Sequence, residues 1–348
     1  MNFASDNWAG ATPAVMAAVA RHNDGYAAAY GADPLTAAVA GRFSEIFETD
    51  VEVWFTATGT GSNSLALAGM ARPGGLVFCS EEAHIHVDEW GATEFQSGGM
   101  KLVPMAQQHG RVSPKIFAAT LDRFPDGGRF GTPVALSLTQ ASECGTVYPL
   151  DQLRALTGMA RQRGLTVHMD GARFGNAVAA LGASPAEITW RSGVDVLSFG
   201  ATKNGCFAAE AIVVFAPEKF RDLAARRQRA GHTLSKARFI AAQFEGYFED
   251  GNWLKTAAHA NGMAARLQQG ILASQTARLG WPTEANEVFA VLPKAVIARV
   301  RAAGGTLYEW PAESLPEGER PGTEEELVRL VTSWATRADE VERFLGML

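Results

Sequence analysis

Six short apolar segments recur between residues 51 and 216, and stretches with the spacing of amphipathic helices separate them. The segments are rich in Val, Ile and Phe and are bounded by Gly, Pro or Asp, as buried strands are. The predicted strands are VEVWFTA (51–57), GLVFCS (75–80), PVALSLTQ (133–140), LTVHMD (165–170), VDVLSFG (194–200) and AIVVFA (211–216). Strands that alternate with helices pair in parallel through crossovers, so we predict an α/β fold with a mostly parallel sheet covered on both faces.

The pattern changes after about residue 217 and predicts a second, smaller α+β domain at the C-terminal end. Two long helical stretches come first, at 218–230 and 235–275, and a final helix begins near Ala338. Shorter strands are predicted between them, at 287–293, 306–311 and 326–334. We therefore divide the chain into a large α/β domain, residues 1–245, and a small domain, residues 246–348, which agrees with a length of 348 residues.

Composition argues against several classes of protein. The chain carries 37 acidic and 31 basic residues, for a net charge of −6, so nucleic acid and anionic membrane are not expected partners. No run of 18 apolar residues occurs, and the polar N-terminus does not resemble a signal peptide, so we expect a cytoplasmic protein. Cys79, Cys144 and Cys206 form no CxxC pair, which predicts neither a zinc site nor a disulfide framework.

The segment TGTGSNS (58–64) follows the first predicted strand and leads directly into a helix. Ligands of open parallel sheets bind at the carboxyl ends of the strands. Backbone N–H groups at the start of a helix, together with its dipole, bind anions such as phosphate. The segment is neither a Walker loop nor GxGxxG, so an ordinary strand-to-helix turn is the alternative interpretation.

Two histidines, His84 and His86, follow the second predicted strand in EEAHIHVDEWGA (81–92). Their spacing differs from the i, i+4 spacing of a helical zinc pair, so we predict no metal site. We interpret His84 as a ring that lies beside a cofactor. His86 is assigned a structural or supporting role, with substrate contact as a candidate function.

An acid and a lysine end two further strands. Asp170 follows LTVHM, where a carboxylate is costly unless it is paired or functional, and an ion pair with Arg173 is the structural explanation. Lys203 follows the next strand, surrounded by small residues in LSFGATKNG (197–205). One helix and one strand fit between Asp170 and Lys203, so both should reach the same edge of the sheet.

An anion cradle, a ring, a carboxylate and a lysine together match the groups of pyridoxal 5′-phosphate (PLP). The lysine amine bonds to the cofactor aldehyde, and its reactivity depends on desolvation and nearby charge. The carboxylate keeps the pyridine nitrogen protonated, which makes the ring an electron sink. Small residues around Lys203 would leave room for a flat cofactor.

The same motifs, in this order, resemble those of the low-specificity L-threonine aldolases, PLP-dependent enzymes of fold type I in the β-eliminating lyase group. The resemblance runs from Ser5 to Arg329 and rests on SDN (5–7), YGADP (30–34), TGTGSN (58–63), EEAHI (81–85) and DGAR (170–173), with the lysine some thirty residues later. It implies the PLP-dependent transferase-like fold. It also implies retro-aldol cleavage of L-threonine, L-allo-threonine or related β-hydroxy-α-amino acids, phenylserine among them, to glycine and an aldehyde. A homodimer or homotetramer with the site at a subunit interface is expected.

The resemblance implies a role for each matching residue. Lys203 corresponds to the lysine that bonds to the cofactor, Asp170 to the partner of its ring nitrogen, and Arg173 to the neighbour of its phenolic oxygen and of the substrate. Gly59 and Thr60 correspond to phosphate ligands, and His84 to the histidine that stacks on the ring. Ser5 and Arg329 correspond to the clamp on the substrate carboxylate, where an arginine fork fixes orientation.

Two segments depart from the family pattern. ASECG (141–145) has Glu143 where many members carry a histidine, so the group that accepts the β-hydroxyl proton stays open among His84, His86 and a water molecule. GHTLSKAR (231–238) replaces a segment that contacts the phosphate from the partner subunit; we assign Lys236 to this role, and a surface lysine is the alternative. A PLP-dependent β-eliminating lyase or amino-acid racemase, or a non-catalytic nucleotide-binding protein, are the competing functions.

Overall fold

Seven strands form the central sheet of the computed structural model, which describes residues 1–125 and 127–348. The strands are β1 (Glu52–Thr56), β2 (Gly75–Ser80), β3 (Lys101–Met105), β4 (Thr132–Thr139), β5 (Thr166–Gly171), β6 (Val196–Gly200) and β7 (Glu210–Val214). Their order is β1-β7-β6-β5-β4-β2-β3, and only β7 runs antiparallel to its neighbours. The predicted mostly parallel sheet is confirmed. Strand β3 was not predicted, because Pro104 interrupts a short segment; a proline is tolerated there since β3 lies at the sheet edge.

Fourteen helices of four or more residues occur in the described part of the chain. They are α1 (Pro13–Arg21), α2 (Pro34–Phe47), α3 (Gly59–Gly69), α4 (His84–Val87), α5 (Ala92–Ser97), α6 (Pro114–Arg123), α7 (Leu150–Gln162), α8 (Phe174–Leu181), α9 (Pro185–Ile188), α10 (Leu223–Arg229), α11 (Arg238–Phe248), α12 (Asn252–Ala273), α13 (Lys294–Ala302) and α14 (Ala338–Leu345). In YGADP, Asp33 caps α2 by accepting the N–H of Thr36 at 2.8 Å. The helical stretch predicted at 235–275 is two helices, since Gly251 has a φ of +68°.

Apolar side chains cover both faces of the central sheet. On one face, Phe43 of α2 contacts Phe199 of β6 and Phe244 of α11, with ring centroids 5.2 Å apart in both pairs. On the other face, Leu65 and Leu67 of α3 belong to a separate buried cluster. This two-sided burial explains why the strands are continuously apolar in sequence.

A second, antiparallel sheet follows in the C-terminal part of the chain. It consists of β8 (Arg278–Leu279), β9 (Glu287–Pro293), β10 (Tyr308–Glu309) and β11 (Glu325–Val331), in the order β10-β11-β9-β8. Helices α12, α13 and α14 share its apolar cluster, which also takes in Phe3 from the N-terminus; the rings of Phe3 and Phe344 lie 5.4 Å apart. The smaller α+β part of the fold is confirmed, and the boundary between residues 245 and 246 stays a prediction. None of the helices described in residues 1–125 and 127–348 has the length and apolarity needed to cross a membrane.

Candidate active site

A cavity of about 520 Å³ opens where the carboxyl ends of β1, β2, β4, β5 and β6 meet. Eight of the ten site residues predicted from the sequence line it: Ser5, Gly59, Thr60, His84, Asp170, Arg173, Lys203 and Arg329. His86 and Lys236 are exposed and do not line it. Most of the predicted site residues therefore lie together at one edge of the sheet, while the role of each residue remains a prediction.

The start of α3 presents free backbone N–H groups to the cavity wall. Thr58 caps the helix, and its Oγ1 accepts the N–H of Gly61 at 3.1 Å. The N–H groups of Gly59 and Thr60 have no hydrogen-bond partner among the described residues. The first N–H groups of a helix lack a partner within the helix and can therefore bind an anion. Gly61 lies so close to His232 that a Cβ atom would be 2.3 Å from the ring Nε2. A larger residue at this position would force the His232 ring to move.

Asp170 is buried at the end of β5 and is held by two hydrogen bonds. Its Oδ2 accepts from Asn63 Nδ2 at 2.7 Å, and its Oδ1 accepts the N–H of Ala172 at 2.9 Å. Asn63 also donates to Glu89 at 2.9 Å, which fixes the amide between two carboxylates. An ion pair between Asp170 and Arg173 is not found among the described residues, so the structural explanation of Asp170 was wrong. The carboxylate remains available to a ligand.

Arg173 instead forms a buried network with two other acids. Its Nε and Nη2 donate to Asp6 at 2.7 and 3.1 Å, and its Nη1 lies 3.2 Å from Glu287. Burial opposes ionisation of Asp6, but the adjacent Arg173 guanidinium, with help from Lys203 and Asn286, outweighs it and holds the pKa of this carboxyl below its usual value. The network anchors the N-terminal segment, including Ser5, at the cavity. Asp6 is the middle residue of the SDN motif, but from the sequence a role was assigned only to Ser5 of that motif.

His84 begins α4 and is oriented by an acid. Its Nδ1 lies 2.8 Å from Oε1 of Glu89, and this hydrogen bond raises the pKa of the imidazole against the opposing effect of burial. The backbone N–H of His84 donates to Glu143 at 2.8 Å. Glu89 thus orients the histidine ring at the cavity wall, and Glu143 holds the backbone of the same residue.

Lys203 lies in a turn directly after β6. It is half-buried and has no hydrogen bond or ion pair within the described part of the chain, although Asp6, Glu210 and Glu287 act on it electrostatically. Packing explains the glycine at position 200, because a Cβ there would be 2.7 Å from the backbone of Ala172. The small residues before the lysine therefore allow close packing of β6, and they also leave space beside the lysine.

Arg329 of β11 and Ser5 line the same cavity from the C-terminal and N-terminal parts of the chain. The Arg329 guanidinium lies 5.2 Å from the ring centroid of Trp310 and 3.8 Å from Glu287, and its Nε is buried with no partner among the described residues. Such an unsatisfied donor fits a carboxylate ligand.

The residues of this cavity fit PLP. The free N–H groups of Gly59 and Thr60 suit its phosphate, Asp170 suits a protonated ring nitrogen, and Lys203 carries an unpaired amine. No cluster of three or more His, Cys, Asp or Glu side chains that would hold a metal ion occurs in residues 1–125 and 127–348.

Comparisons with known proteins agree with this chemistry. Residues 2–294 match the profile of the beta-eliminating lyase family. The chain is 43% identical to the low specificity L-threonine aldolase of Pseudomonas aeruginosa, over 89% of this chain and 90% of the relative. The chain belongs to the beta-eliminating lyases and, among them, to the threonine aldolase family.

Solved structures show the same fold for this family member. A structure of Leishmania major threonine aldolase superposes with a TM-score of 0.91 at 27% identity, and covers 99% of this chain and 97% of the other. Serine palmitoyltransferase of Sphingomonas wittichii shares the fold alone, with a TM-score of 0.74 at 15% identity over 100% of this chain and 86% of that one. Both matches confirm the fold of the PLP-dependent enzymes of fold type I.

Proposed function

We propose that this protein is a PLP-dependent aldehyde-lyase that cleaves L-threonine, L-allo-threonine or related β-hydroxy-α-amino acids to glycine and an aldehyde. The observation that carries the proposal is the convergence of Lys203, Asp170 and the start of α3 on one cavity of a threonine aldolase family member. When bound, PLP supplies an electron sink for the pair released from the Cα–Cβ bond.

Three elements of the chain would hold the cofactor. Lys203 would provide the amine that bonds to its aldehyde, and Asp170 would keep its ring nitrogen protonated. The N–H groups of Gly59 and Thr60, at the positive end of the α3 dipole, would bind its phosphate. Arg173 and the His84 ring complete the contacts, and both are already oriented, by Asp6 and Glu89 respectively.

The substrate carboxylate would bind Arg329 and Ser5. The fork geometry of the guanidinium fixes a carboxylate in one plane, which sets the direction of the substituents on Cα. Arg173 lies nearby but is shared by Asp6 and Glu287, so we assign the larger part of carboxylate binding to Arg329. Orientation of the breaking bond in this way supplies much of the rate enhancement in reactions of this type.

The site would be completed by a second subunit. Lys236 is exposed and unpaired among the described residues, as a residue that acts across an interface would be in a single chain. Trp8 and Trp90 are more than half exposed. We propose a homodimer or homotetramer in which Lys236 reaches the phosphate of the partner's site. His86, also exposed, keeps its predicted substrate role only if it acts from this interface. A cytoplasmic location remains a prediction from the sequence.

The proposal is tested by the products formed after the protein is loaded with PLP. L-Threonine should give glycine and acetaldehyde; a 2-oxo acid with ammonia would show β-elimination, and D-allo-threonine would show racemisation. Lys203→Ala should lose both the visible absorbance of the bound cofactor and the activity. Normal turnover by this variant would overturn the assignment.

A further inference from the structure

Glu143 lies in the loop after β4 and lines the cavity, yet the proposed mechanism leaves it unused. Its Oε1 accepts the backbone N–H of His84 and the hydroxyl of Thr139, both at 2.8 Å. Its Oε2 is buried and has no hydrogen-bond partner in the described part of the chain. An unsatisfied buried carboxyl oxygen is costly, so a bound group that completes it would be favoured.

The surroundings of Glu143 let it change its protonation state near neutral pH. Burial, and next the negative charge of Asp170, raise the pKa of Glu143 to about 7. No Lys, Arg or His side chain forms an ion pair with it among residues 1–125 and 127–348. The titratable and charged groups that act on it or feel its charge are Asp170, Arg173, Cys79, Cys144 and Tyr148. A base whose pKa lies near the working pH transfers protons efficiently.

We infer that Glu143 contacts the β-oxygen of the amino-acid substrate and accepts the β-hydroxyl proton as the Cα–Cβ bond breaks. The inference rests on the proposed function. The O–H bonding pair becomes the second bond of the aldehyde C=O, the Cα–Cβ pair stays with the glycine fragment, and the proton moves to the Glu143 carboxylate. A proton from solvent adds at Cα and completes glycine, and Glu143 returns the proton that it accepted to solvent, so the protons balance.

The other candidates for this step are less well placed. His86 is exposed and does not line the cavity of its own chain. The Nδ1 of His84 is engaged by Glu89, and the ring is already assigned to contact with the cofactor. Glu143 lines the cavity, is linked to His84 through a backbone hydrogen bond, and has an unused oxygen.

Glu143→Gln tests the proton transfer. The amide keeps the volume and an oxygen that can accept from His84 and Thr139, but it cannot take up a proton. We expect kcat for L-threonine to fall by about 10²–10⁴-fold, while the absorbance of bound PLP is kept. Wild-type kcat/KM should rise with pH through about 7, and this limb should vanish in the variant. Glu81→Gln changes an exposed acid shortly before α4. It is the matched control and should behave as wild type.

Ligand binding tests the contact by a measurement other than the rate of turnover. L-Serine and L-alanine differ by one β-hydroxyl, and their binding to the PLP-loaded protein can be followed by its visible spectrum. The wild type should bind L-serine about tenfold more tightly than L-alanine, and Glu143→Leu should abolish the difference. An unchanged serine-to-alanine ratio, or a Glu143→Gln kcat within threefold of wild type, would overturn the inference. Absence of acetaldehyde with the wild type would instead refute the proposed function, and the binding ratio would still test the contact.

Discussion

Arg173 and Asp6 form a buried two-pronged ion pair although 167 residues separate them in sequence. Two nitrogen–oxygen distances, 2.7 and 3.1 Å, show that the guanidinium faces the carboxylate side-on. Asn286 donates a further hydrogen bond to Asp6 at 3.1 Å. The pair therefore fastens the N-terminal segment to the end of β5, and it brings Ser5 to the cavity.

Asp6→Ala should destabilise the protein strongly. Removal of one partner of a buried pair leaves the other charge uncompensated, at a typical cost of about 3–5 kcal/mol. Glu287 still lies 3.2 Å from Arg173, so we expect the lower part of this range, about 3 kcal/mol, in urea unfolding. Asp50→Ala, which removes an exposed acid without a partner in the described residues, should change the unfolding free energy by less than about 0.5 kcal/mol. Equal losses in the two variants would contradict this account.

Much of the fold could be predicted because short, contiguous segments of the sequence indicate where the strands lie. Five of the six predicted strands are buried over nearly their whole length, namely β2, β4, β5, β6 and β7. Such strands are recognisable as short Val- and Ile-rich segments between turn residues. Two features escaped. Strand β3 contains Pro104, and the two-residue strand β8 is too short to leave a periodic pattern.

The site was predictable where a motif follows a strand, as at Asp170 and Lys203. The supporting acids were not, because their roles depend on residues that are distant in sequence. Glu89 contacts Asn63, 26 residues earlier, besides the nearby His84, and Glu287 acts on Arg173 from the second sheet. No local pattern indicates which distant group an acid will meet.

Asp170→Asn should impair catalysis more than cofactor binding. The amide can still accept from Asn63 or from the Ala172 N–H, but it lacks the charge that keeps the ring nitrogen protonated. Loss of one preorganised electrostatic partner in a buried site costs about 10²–10³-fold in kcat. Steady-state kinetics with L-threonine measures this loss, and a spectral titration measures the Kd of PLP. A variant with unchanged kcat would show that Asp170 does not face the ring nitrogen.

Gly61→Ala should weaken cofactor affinity by displacing His232. The new methyl group would lie 2.3 Å from the ring Nε2, so the ring must move away from the start of α3 and from the N–H of Ala57. We expect the Kd of PLP to rise by about tenfold or more, since each 1.4 kcal/mol of strain is one decade.

His232→Ala removes the obstacle, so the double variant Gly61→Ala/His232→Ala should bind PLP as His232→Ala alone does. Gly41→Ala, in α2 away from the cavity, is the matched glycine control, because its Cβ would also meet no atom within 4 Å. If Gly61→Ala raises the Kd of PLP by the same factor when the His232 ring is absent, a clash with this ring is not the cause.

Arg329→Lys should raise KM for amino acids more than it lowers kcat. Lysine keeps the positive charge but loses the planar fork and the contact with the Trp310 ring, 5.2 Å away. We expect KM for L-threonine to rise by about 10-fold or more, which is the loss of one charge-assisted hydrogen bond. Steady-state kinetics gives both constants. Arg320→Lys, an exposed arginine in the loop before β11, should leave them unchanged.

Glu210 should make the stability of the cofactor-free protein fall as pH rises. Burial raises the pKa of this carboxyl to about 7 from a model-compound value of 4.5, so between these values the folded state binds a proton that the unfolded state has lost. The unfolding free energy contributed by Glu210 therefore decreases from about pH 4.5 to about pH 7 and levels off above. Glu210→Gln removes this dependence, so its stability relative to wild type should increase by up to about 3 kcal/mol across the same interval. Urea unfolding of both proteins at pH 5 and pH 8 measures the change. Glu218→Gln, an exposed acid after β7, should show none, and a Glu210→Gln difference that is constant with pH would contradict the assignment.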